Sequence, residues 1–213
     1  MNNGRISRLL FRNGPGNLFI IVSSILVFLI NILIGGSRFW IFLIGGGRLL
    51  DYGCVSHDVL FIRHQFWRLF TCGYLHRGVF HLIVNSLALL CVGNIVEKAL
   101  GTIKYLVVYH LGMAVSAAVL CLLFRQTVMV GASVGIFVIA GIFFTRIRIG
   151  ERQLWQQLSK RKRAYLTYYV ILGSLLALAT MAVHLISFVL GVLYTITEAG
   201  LCHAIQKKTV RNK

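Results

Sequence analysis

A chain of 213 residues that is 58% hydrophobic, holds one proline and has a mean hydropathy of +0.81 is too apolar for a soluble domain. Its net charge of +17, from 22 basic and 5 acidic residues, does not point to nucleic acid, because no basic stretch carries interleaved aromatics; the basic residues lie between apolar runs, where they set membrane topology. Five cysteines (Cys54, Cys72, Cys91, Cys121 and Cys202) are an odd number without a CxxC pair, and they read as small apolar residues, not as a disulfide framework.

In chain order, Arg5, Arg8 and Arg12 precede an apolar run from Leu18 to Ile34 that no cleavage-site pattern follows. This predicts a basic cytosolic N-terminus over 1–16 and a start-transfer anchor as the first span, 17–34. Residues 35–79 mix two glycine clusters, scattered charges and aromatics such as Trp40 and Trp67. No stretch there is long enough to cross, so the segment is expected to lie as a loop in the membrane interface. A second span is predicted over 80–96, closed by Glu97-Lys98, a third over 105–124, and a fourth over 129–145, closed by Arg146. The charged stretch 146–163 reads as a cytosolic topogenic loop. From Ala164 to Thr197 there are 34 residues without a charge. As one helix they would reach about 51 Å, against a hydrocarbon core of about 30 Å. The run is therefore expected to fold back into two spans, with a turn near 179–183.

The fold class is thus all-α: a polytopic bundle of six spans over 17–200, followed by a basic cytosolic tail over 201–213. With the N-terminus inside, the cytosolic segments hold sixteen Lys and Arg residues and the outer segments six, which puts both termini in the cytosol.

Spans two, four and six then run in one direction. Asn85 precedes Glu97 by 12 residues, Ser133 precedes Arg146 by 13, and His184 precedes Glu198 by 14. At 1.5 Å per residue all three polar groups lie roughly 18–21 Å from the cytosolic charges, and His81 sits one turn from Asn85 on the same face. Ionisable groups at such depth point to function. A serine hydroxyl needs a base, and an imidazole can accept its proton. An asparagine amide, a second imidazole and the backbone N–H of Ser133 can serve a developing oxyanion. No Asp or Glu stands near that depth, so a Ser133–His184 dyad is the economical reading. Small residues after each partner (Ala140 and Gly141; Ser187, Gly191 and Thr195) favour close approach of spans four and six, with Phe137 placed to hold the imidazole.

These pieces resemble the rhomboid intramembrane serine proteases. The matching elements are Trp67-Arg68, His76, His81-x-x-x-Asn85, Glu97-Lys98-x-x-Gly101, Gly131-Ala132-Ser133 and His184, in order over residues 17–200. The resemblance implies Ser133 as nucleophile, His184 as general base, and Asn85, His81 and the Ser133 N–H as oxyanion hole. It implies transmembrane protein substrates cut near their outer ends, in a multi-pass cell-membrane protein expected of a bacterial plasma membrane. No cofactor or metal is implied. Two positions depart from the family pattern: Val134 and Ser187 stand where glycine is usual. Val134 is what favours the alternative, a non-catalytic rhomboid-like protein that binds transmembrane clients.

Overall fold

The computed structural model describes residues 14–35, 38–174 and 178–211, so Arg5, Arg8 and Arg12 lie outside the described residues. Within them the regular structure is helical, with one isolated antiparallel bridge between Val55 and Met129.

Helix α1 (Pro15–Ile34) opens with proline at its first position, where the missing N–H costs nothing. Its next two amides, of Gly16 and Asn17, donate to the buried carboxylate of Glu97 at 2.8 Å each. A carboxylate at a helix N-terminus satisfies free donors and meets the positive end of the dipole. Three short helices follow: α2 (Arg38–Ile44), α3 (Arg48–Gly53) and, after a π-helical turn over Asp58–Ile62, α4 (Arg68–Thr71). Arg68 holds this stretch together from inside. Its guanidinium donates to the Asp51 and Cys54 carbonyls at 2.6 and 3.2 Å and to Gln65 Oε1 at 2.7 Å. Trp40, Ile62 and Trp67 face outward.

Helix α5 (Gly78–Leu100) is apolar, with a π-helical turn at Leu89–Gly93. It begins at Gly78, whose φ of 74° and contact with the Leu43 carbonyl leave no room for a side chain. After Gly101, α6 (Thr102–Leu123) returns antiparallel. Thr102 donates to Glu97 at 2.8 Å and Tyr105 to Asn17 at 2.8 Å, so one end of α1, α5 and α6 is a single hydrogen-bonded knot.

Helix α7 (Ser133–Arg148) is the centre of the bundle, buried from Val134 to Phe143. After the short α8 (Gln153–Gln156) come α9 (Lys160–Ser174) and α10 (Leu178–Arg211). Among the described residues the most extensive helix packing is α7 on α10. Gly141 lies against the Phe188 carbonyl and Gly191 against the Val138 carbonyl, so backbone meets backbone. The helices are parallel: Ser133 meets His184 near their starts, and Arg146 meets Glu198 at 2.7 Å near their ends.

Two expectations are corrected. The fourth predicted span starts late. Met129 pairs with Val55 through two backbone bonds of 3.1 and 2.9 Å, the Gly131 amide donates to the Cys72 carbonyl, and Gly131 has a φ of 110°. These bonds hold 129–132 out of the helix, which begins at Ser133. No turn lies at 179–183, which is helical within α10; α9 ends at Ser174, and residues 175–177 lie outside the described residues. Among the described residues four helices are long and apolar enough to cross a membrane: Pro15–Ile34, Gly78–Leu100, Thr102–Leu123 and Leu178–Cys202. Helices α7 and α9, of 16 and 15 residues, fall short by length.

Replacing Glu97 by alanine strands three donors at the knot and should cost about 3 kcal/mol of stability, read as a lower thermal unfolding midpoint in detergent. Gly191→Val drives a side chain into the Val138 carbonyl and should cost a further ~3 kcal/mol by the same measurement, with the α7–α10 packing as the element lost.

Candidate active site

The loop 124–132 delivers Ser133 to the first position of α7, where its N–H has no acceptor within the helix. Its Oγ lies 3.0 Å from His184 Nε2. His184 Nδ1 lies 2.8 Å from the carbonyl of Gly173, near the end of α9. A carbonyl only accepts, so Nδ1 carries the proton and Nε2 is left to accept from the serine hydroxyl. The ring is also clamped: Phe137, one turn along α7 from Ser133, stacks on it with centroids 4.0 Å apart and planes 7° apart.

His81 and Asn85 enter from α5. The backbone N–H of Arg77 donates to His81 Nδ1 at 3.3 Å, so this ring carries its proton on Nε2, turned toward Gly131. A side chain at Gly131 would come within 2.6 Å of the His81 ring and 3.5 Å of Asn85 Nδ2. Glycine is therefore required there twice, by contact and by its positive φ. Asn85 is 2% exposed; its Oδ1 accepts from the Tyr169 hydroxyl at 2.9 Å, and its Nδ2 has no partner among the described residues.

All four residues face one cavity of about 650 Å³, whose walls are otherwise mostly apolar: Phe80, Val84, Leu172 and Val183 among them. No Asp or Glu lines it among the described residues. Among the described residues no three His, Cys, Asp or Glu side chains are grouped to hold a metal ion. His76, which precedes α5, stands behind His81 with ring centroids 5.1 Å apart. Burial, reinforced by His81, pushes it down to about 3, so it is neutral at physiological pH.

Val134 is 1% exposed and sits inside the core. The turn accommodates it, and the Ser133–His184 contact forms beside it. What crowds the next position is Tyr109 of α6, whose ring covers Gly135 and whose hydroxyl reaches the Ala132 carbonyl at 3.3 Å. Ser187 is buried, and its hydroxyl donates to the Val183 carbonyl one turn back at 2.6 Å, so its hydrogen bond is satisfied within α10. The sequence reading missed three contributors: the Gly173 carbonyl, Tyr109 and Tyr169. The only signal for the tyrosines is a phenol in an apolar run, which needs a partner once buried.

A helical bundle with several apolar candidate spans, with a serine and an imidazole in contact on one cavity, defines a multi-pass membrane protein. A family profile for the rhomboid domain matches residues 63–200, and the chain belongs to the rhomboid family. It is 30% identical over 132 residues to RHOMBOID-like protein 1 of Arabidopsis thaliana, covering 62% of this chain and 32% of that one. It is 32% identical over 130 residues to rhomboid protease GluP of Bacillus subtilis, covering 60% of this chain and 24% of that one. It is 27% identical over 95 residues to inactive RHOMBOID-like protein 8 of Arabidopsis thaliana, covering 45% and 27%. The matched stretches thus span about a third or less of the length of these relatives.

Val134→Gly removes a buried side chain and loosens the first turn of α7, so it should cost about 3 kcal/mol. A thermal midpoint that rises instead would mean that Val134 strains the turn.

Proposed function

We propose that this chain is an intramembrane serine endopeptidase that cuts transmembrane segments of other proteins near their outer ends. The observation that carries the reading is the 3.0 Å contact of Ser133 Oγ with His184 Nε2, with the imidazole tautomer set by Gly173. In this reading six helices cross the membrane. Helices α7 and α9 make shortened crossings, the stretch 35–79 lies in the outer interface, and both termini are cytosolic.

The reaction is acyl transfer. Ser133 Oγ attacks the scissile carbonyl carbon while His184 Nε2 takes its proton. The carbonyl oxygen becomes an oxyanion, met by Asn85 Nδ2, the Nε2–H of His81 and the Ser133 N–H. The imidazolium then protonates the leaving amine, the C–N bond breaks, and an acyl-enzyme remains. Water from the cavity, deprotonated by His184, hydrolyses it and restores the serine. Gly173 holds the imidazole where a triad would use a carboxylate. The substrate helix must unwind at the cut, because its backbone is otherwise fully hydrogen-bonded.

A second reading, a non-catalytic member that binds transmembrane clients, is favoured by Val134 at the usual glycine position. Labelling separates the two. Under the protease reading a fluorophosphonate probe modifies the purified protein, and Ser133→Ala abolishes the label. Cleavage of a model transmembrane substrate in detergent falls at least ~10³-fold in Ser133→Ala and in His184→Ala. Unlabelled wild-type protein that leaves the substrate intact would establish the non-catalytic reading.

A further inference from the structure

The amide of Asn85 is held at one end and open at the other. Its Oδ1 accepts the Tyr169 hydroxyl at 2.9 Å across the α5–α9 contact. Its Nδ2 is buried and has no acceptor among the described residues. A buried donor without a partner is unfavourable, so it is met by a water or by a group that arrives during function. Nδ2 faces Gly131, the same point that the His81 ring faces. An amide is planar, so fixing its oxygen fixes the direction of its two N–H bonds.

Tyr169 also reaches the other half of the site. Its ring packs on Phe137 with centroids 5.7 Å apart, and Phe137 stacks on His184. A neighbouring bond, from the Tyr165 hydroxyl to the Val84 carbonyl at 2.6 Å, ties the same two helices without touching the amide.

We propose that Tyr169 is a positioning residue: its hydroxyl holds the Asn85 amide with Nδ2 aimed at the oxyanion, so that the closure of α9 on α5 sets the strength of the oxyanion hole. This rests on the protease reading. A displacement of α9 that breaks the bond frees the amide to turn, and full activity requires the two helices to be together when the oxyanion forms.

The test is a double-mutant cycle on cleavage of a transmembrane substrate, with kcat and KM measured separately. Tyr169→Phe removes one oxygen and keeps the ring on Phe137. It should lower kcat by roughly tenfold, the scale of one lost hydrogen bond, with KM within about twofold. Asn85→Ala should lower kcat by about 10²-fold. Tyr169→Phe added to Asn85→Ala should change kcat by less than about twofold, because the amide it positions is gone. Tyr165→Phe, which cuts the neighbouring bond, should multiply with Asn85→Ala.

Full multiplication of Tyr169→Phe with Asn85→Ala would overturn the proposal and leave the protease reading intact. So would an effect confined to KM. A wild-type chain that neither cleaves nor takes a serine-directed probe overturns both. Thermal midpoints establish that each variant is folded. The rate of fluorophosphonate labelling repeats the cycle without substrate, and additivity there would count equally against the proposal.

Discussion

The contact on which the site depends is backbone against backbone. Gly141 meets the Phe188 carbonyl and Gly191 meets the Val138 carbonyl, so α7 and α10 touch through their backbones. In a hydrocarbon surrounding there is little apolar driving force between helices, and close packing takes its place. Parallel helices in contact along their length cannot slide without losing that fit. The register at Gly141 and Gly191 therefore fixes how far apart Ser133 and His184 stand, about two turns away. The far end is locked as well: Arg146 bridges Glu198 and Glu151, at 2.7 and 3.1 Å, and Lys104 reaches Glu198 at 3.5 Å.

The second half of the site is supported differently. Helix α5 carries His81 and Asn85, and it is anchored at its distal end by Glu97, a single buried carboxylate that serves two helices at once. At its proximal end it rests on α2 through Gly78 and the Leu43 carbonyl. Helix α5 is thus held at both ends, and two tyrosine hydroxyls of α9 reach its first half at Val84 and Asn85. The cavity lies between these supports; besides Arg77 and Thr127 from connecting segments, its polar side chains come from α5, α7, α9 and α10.

Much of this was legible from residue order alone. Apolar runs bounded by charge marked the four long helices, because a helix in an apolar medium can tolerate few charges. The similar spacing from Asn85, Ser133 and His184 to the next charge along each helix, 12, 13 and 14 residues, anticipated that Ser133 and His184 would meet. Helix boundaries were less legible. Met129 and Val130 are as apolar as any span residue, yet Met129 pairs with Val55, 74 positions away, and only the fold brings them together. No Gly, Pro, Asn or Asp cluster marks the reversal after Ser174. The carbonyl of Gly173 has no sequence signature, since every residue has one. Tyr169 looked like one more aromatic in an uncharged run until Asn85 was placed opposite it.

The Gly173 carbonyl has an electrical consequence. It belongs to the last turn of α9, whose terminal carbonyls lack intrahelical partners and carry the negative end of that helix's dipole. Ser133 begins α7, where the positive end lies. In the proposed reaction, positive charge develops on the imidazole and negative charge on the bound carbonyl oxygen. Each then faces a helix end of opposite sign, equivalent to roughly half an elementary charge apiece. Two helix termini thus do together, in the proposed reaction, what a buried carboxylate does in a triad, and no acidic side chain has to be desolvated beside the imidazole.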